Sequence, residues 1–206
     1  MSNTGKLYHV YHDSSLDTSQ LKVLDQAKLP IWRVTTNAFS TTLKLKSAGN
    51  HQTTLAAARF HSFSSDVDIC LGDPDVGETS FFDVLTRDPA FVHYRHRWGM
   101  DVSHLPAEMT QRYAASVGGQ NRLQFMWRRP GDSVWVGRDW EMIIDDGGGS
   151  AGTMNAVVLA RFQSVRGSWK KKGRLYMEEG WGERWELMTA ITAFAVLEKE
   201  RVRNHR

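Results

Sequence analysis

Cysteine is nearly missing from this chain. Cys70 is the single thiol in 206 residues, which excludes an intramolecular disulfide and any zinc site made of cysteines from one copy. A reducing compartment is expected. Also missing is an apolar run of about 18 residues, the length a bilayer-spanning helix needs. Residues 1–6 carry no apolar stretch of the signal-peptide kind. These absences predict a cytoplasmic protein without a transmembrane segment. Catalytic motifs are lacking as well: there is no Gly-x-Ser-x-Gly elbow. The run Asp-Asp-Gly-Gly-Gly at 145–149 lacks the Lys-Ser/Thr ending of a phosphate loop and the spaced acids of a calcium loop. It reads as a hairpin tip. The expectation is a protein that is not an enzyme and carries no cofactor.

Large aromatic side chains, by contrast, are abundant. Eight Trp, nine Phe and five Tyr demand burial, and a chain of this length fits one core, so a single domain over residues 1–206 is expected. A two-strand pattern recurs within it. One copy runs from Trp32 to Phe60 and ends Ala58-Arg59-Phe60. The other runs from Trp135 to Phe162 and ends Ala160-Arg161-Phe162, one residue shorter. A repeat of this kind predicts a duplicated β unit. The turn-rich segments at 47–50 and 145–150 then become the hairpin connections within each copy.

Strand signals fill most of the remainder. Residues 7–12 alternate apolar and polar, and 21–34 read as two short strands broken at 27–30. Residues 72–119 interrupt this rhythm and are expected to form an irregular excursion. It includes a strand at 91–94 and a short helix at 106–113 with Pro106 in its first turn. The strand pattern resumes at 123–127. The last element differs in kind. Residues 185–197 are apolar on every helical face, which predicts a helix surrounded by protein. At about 20 Å it is too short to cross a bilayer and suits the interior of a barrel.

The Trp-bearing repeat with its Ala-Arg-Phe strand ends, followed by the terminal segment 188–198 (Met-Thr-Ala-Ile-Thr-Ala-Phe-Ala-Val-Leu-Glu), resembles the tubby C-terminal-like superfamily. Small fungal proteins of the LURP-one-related and phospholipid-scramblase-like branches are the nearest likeness. The resemblance implies a mainly β fold: a closed antiparallel barrel of two repeated halves enclosing the hydrophobic C-terminal helix. Such closure would remove sheet edges and give the helix a place to bury its surface. The resemblance also implies phosphoinositide binding or membrane tethering as one family behaviour, without assigning those residues here.

Candidate chemistry comes from local charge. Residues 166–206 hold ten Lys/Arg against six Asp/Glu, while the rest of the chain holds sixteen and seventeen. Lys170, Lys171, Lys172 and Arg174, flanked by Trp169 and Tyr176, combine cations with aromatics suited to a membrane–water interface. They are the candidate binding residues for an anionic phospholipid headgroup, which would make the protein peripheral to a membrane. A solvated hairpin is the plainer alternative. No recognised nucleic-acid module is present, and nucleic acid is not an expected partner. His93, His96, His104 and Asp101 form the densest group of potential metal ligands. On a strand His93 and His96 would face opposite ways, so no metal site is expected. Cys70 reads as a buried structural thiol. Two other functions stay open: a protein-interaction scaffold using Trp98 or Trp181 as exposed anchors, and a carrier of an apolar ligand if the helix does not fill the barrel.

Overall fold

The computed structural model describes residues 5–13, 20–36, 41–49, 51–62, 64–76, 83–88, 95–113, 121–130, 139–145, 157–165, 167–168 and 170–204. Alternation is the local cause of its strands. Trp32 and Val34 flank Arg33, and Leu43 and Leu45 flank Lys44; in each strand the apolar pair is buried. Successive strand side chains point to opposite faces, so each such segment presents one apolar face to a core.

Twelve described strands result: β1 (Gly5–His12), β2 (Gln20–Leu24), β3 (Pro30–Thr36), β4 (Thr42–Ser47), β5 (Thr54–Phe60), β6 (Val67–Leu71), β7 (Asp83–Arg87), β8 (Arg95–Asp101), β9 (Arg122–Arg128), β10 (Trp140–Ile144), β11 (Val158–Ser164) and β12 (Lys171–Glu178). Each pairs antiparallel with its sequence neighbours, and β1 pairs with β12 to close the barrel. Closure leaves no unpaired edge. Barrel diameter grows with strand number, and about eight strands already enclose all the space that side chains can fill. A twelve-strand barrel therefore needs another occupant.

That occupant is helix α2 (Glu183–Asn204). Every residue from 188 to 197 is buried. Successive helical residues turn by about 100°, so ten in a row cover every face of the helix. Its contacts come from across the ring. Trp127 Nε1 on β9 donates to Thr192 Oγ1 at 3.0 Å, and on the far side α2 packs against β4, β5 and β6. Tyr8 on β1 donates to Glu186 near its start. At its end Glu200 accepts from Arg129 and, at 3.3 Å, from Trp140 Nε1. The barrel around a C-terminal helix is as expected. Residues 188–197 of α2 occupy the lumen.

The two hairpins β4–β5 and β10–β11 carry the repeated Ala-Arg-Phe ends; Trp135 lies outside the described residues. The helix runs past the apolar stretch to Asn204, and Glu200 in this extension is buried by its bonds to Arg129 and Trp140. Within 72–119, β7 and β8 are part of the barrel wall, so the stretch expected as an excursion supplies two of its strands. The expected strand at 91–94 lies outside the described residues. A 3₁₀ turn (Val102–His104) and helix α1 (Ala107–Arg112) follow β8, with Pro106 as the N-cap of α1.

Candidate functional site

Strand β12 carries the predicted cations, and its neighbours decide what they join. Pairing with β1 moves from Val10–Gly173 to Tyr11–Lys171, so Lys172 is the extra residue of a bulge. Gly173 faces inward. A Cβ there would stand 2.5 Å from the Gln163 carbonyl oxygen and 2.6 Å from Phe162 Cζ, so only glycine lets the wall close between two cationic positions. The turn before β12 is fixed: Lys171 N donates to Ser168 Oγ at 2.8 Å, and His12 N donates to the Lys170 carbonyl at 2.8 Å. Lys170 and Arg174 are exposed, Lys171 and Lys172 half-buried. Trp169 lies outside the described residues.

Cross-strand register extends the patch. Lys171 pairs with Tyr11, Tyr11 with Lys22, Lys22 with Arg33, and Arg33 with Lys46. Residues in register on adjacent strands share a face, and here it is the outer one, since Val10, Val23, Trp32, Val34 and Leu45 are the buried neighbours. Four strands besides β12 thus contribute to one row. Arg174 lies beside it, in register with His9. Lys171 Nζ is 3.3 Å from His9 Nδ1 and 5.6 Å from the Tyr11 ring centre.

Two histidines register this positive field. Burial first, then Lys28, Lys171 and Arg174, hold His9 below the usual imidazole pKa. Burial and then Lys172 do the same to His12. Elsewhere on the wall several cations are matched by acids. Lys44 lies between Asp73 at 2.9 Å and Asp75 at 2.5 Å, Glu141 takes both Arg128 and Arg161, and Arg97 meets Asp88 and Asp145. Within the row Arg33 has Asp13 at 3.2 Å. Among the described residues Lys22, Lys46 and Arg174 have no carboxylate in ion-pair range. A row of ammonium and guanidinium groups with few counter-charges can hold phosphate oxygens.

Other sequence candidates disperse. Trp98 and Trp181, expected as exposed anchors, are each only 1% exposed. Trp98 stacks on Phe125 at 4.5 Å, and Trp181 stacks between Tyr113 and Trp185, because both rings turn into the core where the barrel meets α2. That reading is corrected. His96 is buried with its ring 5.7 Å from Trp140, while His104 is exposed and Asp101 accepts from Ser103 N at 2.9 Å. His93 lies outside the described residues, and among those described no group of three His, Cys, Asp or Glu is placed to hold a metal ion. Cys70 is buried, and burial pushes its thiol pKa up. Sequence reasoning missed His9, Lys22, Arg33 and Lys46. Their alternation with buried residues was visible, but the register that aligns them was not.

No protein-family model matches the chain. No curated protein matches it either. Among solved structures, the chain is similar to an X-ray structure of a protein from Arabidopsis thaliana, with 6% identity and a TM-score of 0.46 over 93% of this chain and 91% of that one. No described helix is long and apolar enough to cross a membrane.

Proposed function

We propose that this protein is a non-enzymatic, tubby-like binding protein that recognises anionic phospholipid headgroups and acts peripherally at the cytoplasmic face of a membrane. The observation that carries this reading is the outer row Lys171–Tyr11–Lys22–Arg33–Lys46, with Lys170, Lys172 and Arg174 beside it. A lone lysine-rich hairpin would present a single short strip of charge. The row spreads charge over four strands of a rigid wall, with Tyr11 of β1 between them, so a headgroup meets several cations without ordering a loop. Tyr11 adds an amphipathic ring of the kind favoured at headgroup depth. A closed antiparallel barrel around a buried C-terminal helix is also the architecture that the tubby-like resemblance implies.

Each basic residue near an anionic bilayer contributes about 1 kcal/mol, and the attraction fades beyond a Debye length. Sedimentation with vesicles of phosphatidylcholine alone, with phosphatidylserine, and with a phosphoinositide tests the reading. Binding is expected only to the anionic vesicles. The triple change Lys171→Glu, Lys172→Glu and Arg174→Glu is expected to abolish it while leaving the unfolding midpoint near wild type. Retained binding by a folded triple variant refutes the assignment, as does absence of binding to every composition at low salt.

A further inference from the structure

The opposite electrostatic character appears at one barrel mouth, where α2 enters. A cavity of about 870 Å³ opens there between the start of β1, the β2–β3 turn, the end of β12 and the first turn of α2. This is the size of a small-molecule site. Among the described residues five carboxylates line it, those of Asp25, Glu178, Glu179, Glu183 and Glu186, against the single ammonium of Lys6. Glu178 is partly engaged, by Arg112 at 3.5 Å and Trp181 Nε1 at 3.3 Å. Asp25 accepts from Leu29 N at 2.8 Å. Glu179 and Glu183 have no partner among the described residues.

Aromatic and apolar groups form the rest. Tyr8 and Trp32, with ring centres 5.0 Å apart, come from the wall, and Trp181 and Trp185, stacked at 5.1 Å, come from the helix entry. The cavity also contains a demonstration of its own chemistry. Lys6 Nζ lies 2.6 Å from Glu186 Oε2, and the other oxygen of that carboxylate accepts from the Tyr8 hydroxyl. An ammonium on an alkyl chain is thus already held by Glu186 beside the Tyr8–Trp32 pair.

We infer that the barrel mouth binds an alkylammonium ligand of the lysine type: an ammonium at the end of an aliphatic chain. Glu186 takes the ammonium, in the position Lys6 now holds. Glu179 and Glu183 supply the attracting field, and the Tyr8 and Trp32 rings favour the cation and its chain. Lys6 is therefore an internal competitor.

Isothermal titration with Nα-acetyl-lysinamide tests this on the full chain, with the uncharged Nα-acetyl-norleucinamide as control. Saturable binding at one site is expected, with the control at least about tenfold weaker. Glu186→Gln is expected to weaken binding about tenfold. Lys6→Met removes the competitor and is expected to tighten it severalfold, a gain that damage to the fold cannot mimic. Equal binding of probe and control, no saturation below tens of millimolar, or unchanged affinity in Lys6→Met each overturns the inference. The vesicle assay of the basic row is unaffected by any of these outcomes, because the two surfaces share no residue.

Discussion

Replacing Phe194 tests whether the barrel is held together around its helix. Phe194 is 1% exposed and sits in the middle of the stretch 188–197, whose every residue is buried. Truncation to alanine removes a fully buried ring and leaves a cavity, at a cost of about 3–5 kcal/mol. Phe194→Leu keeps most of the volume and should cost only about 1–2 kcal/mol. Phe194→Asp buries a carboxylate in the hydrophobic cluster, several kcal/mol more than the loss of the ring. A domain of this kind has only about 5–15 kcal/mol in total. The expected order in urea unfolding is wild type, then Leu, then Ala, with Phe194→Asp lacking a cooperative transition and a native near-ultraviolet spectrum. Ala193→Asp should behave like Phe194→Asp, since Ala193 is buried on an adjacent face. A cooperative Phe194→Asp protein with a wild-type midpoint would refute the axial helix outright.

Four further outcomes follow from the same geometry. Gly173→Ala should destabilise by about 1–3 kcal/mol, measured by thermal unfolding, because the added methyl meets the Gln163 carbonyl and the Phe162 ring. Thr192→Val leaves the Trp127 indole N–H buried without an acceptor and should cost about 1–3 kcal/mol in chemical denaturation. Glu200→Gln breaks the pair with Arg129 and should cost about 3–5 kcal/mol, because the guanidinium stays buried against Trp140. His9 provides a pH test. Its folded pKa lies below the ordinary value, so the unfolded state takes up its proton first, and the stability linked to His9 is full above about 6.5 and declines as pH falls below it. An anion on the neighbouring row reverses the local field, so an NMR titration should find the His9 midpoint higher with an inositol phosphate bound. An unchanged midpoint would separate His9 from the anion site.

The strands and the helix were legible because each has a local cause. Alternation in Lys22-Val23, Arg33-Val34 and Lys44-Leu45 gives half-buried strands, and a run apolar on all faces can only be a buried helix. Closure of those strands into a barrel was what the resemblance implied, and the pairing of β1 with β12 supplies it. Functional placement was legible only in part. Lys170, Lys171, Lys172 and Arg174 are adjacent in the chain, so their charge was visible as a cluster. Lys22, Arg33 and Lys46 join them only through the hydrogen-bond register of β12, β1, β2, β3 and β4, and a shift of one residue in any of those pairings would turn a cation to the other face. The acidic mouth was invisible for the same reason: Asp25, Glu179 and Glu186 come together only where three separate chain segments meet. Trp98 and Trp181 show the converse, since they read as exposed anchors and the packing turned both rings inward. Composition and periodicity decide which face of each element is apolar, because that depends on neighbours along the chain. Which charges share a surface depends on neighbours across it, and only the folded barrel decides that.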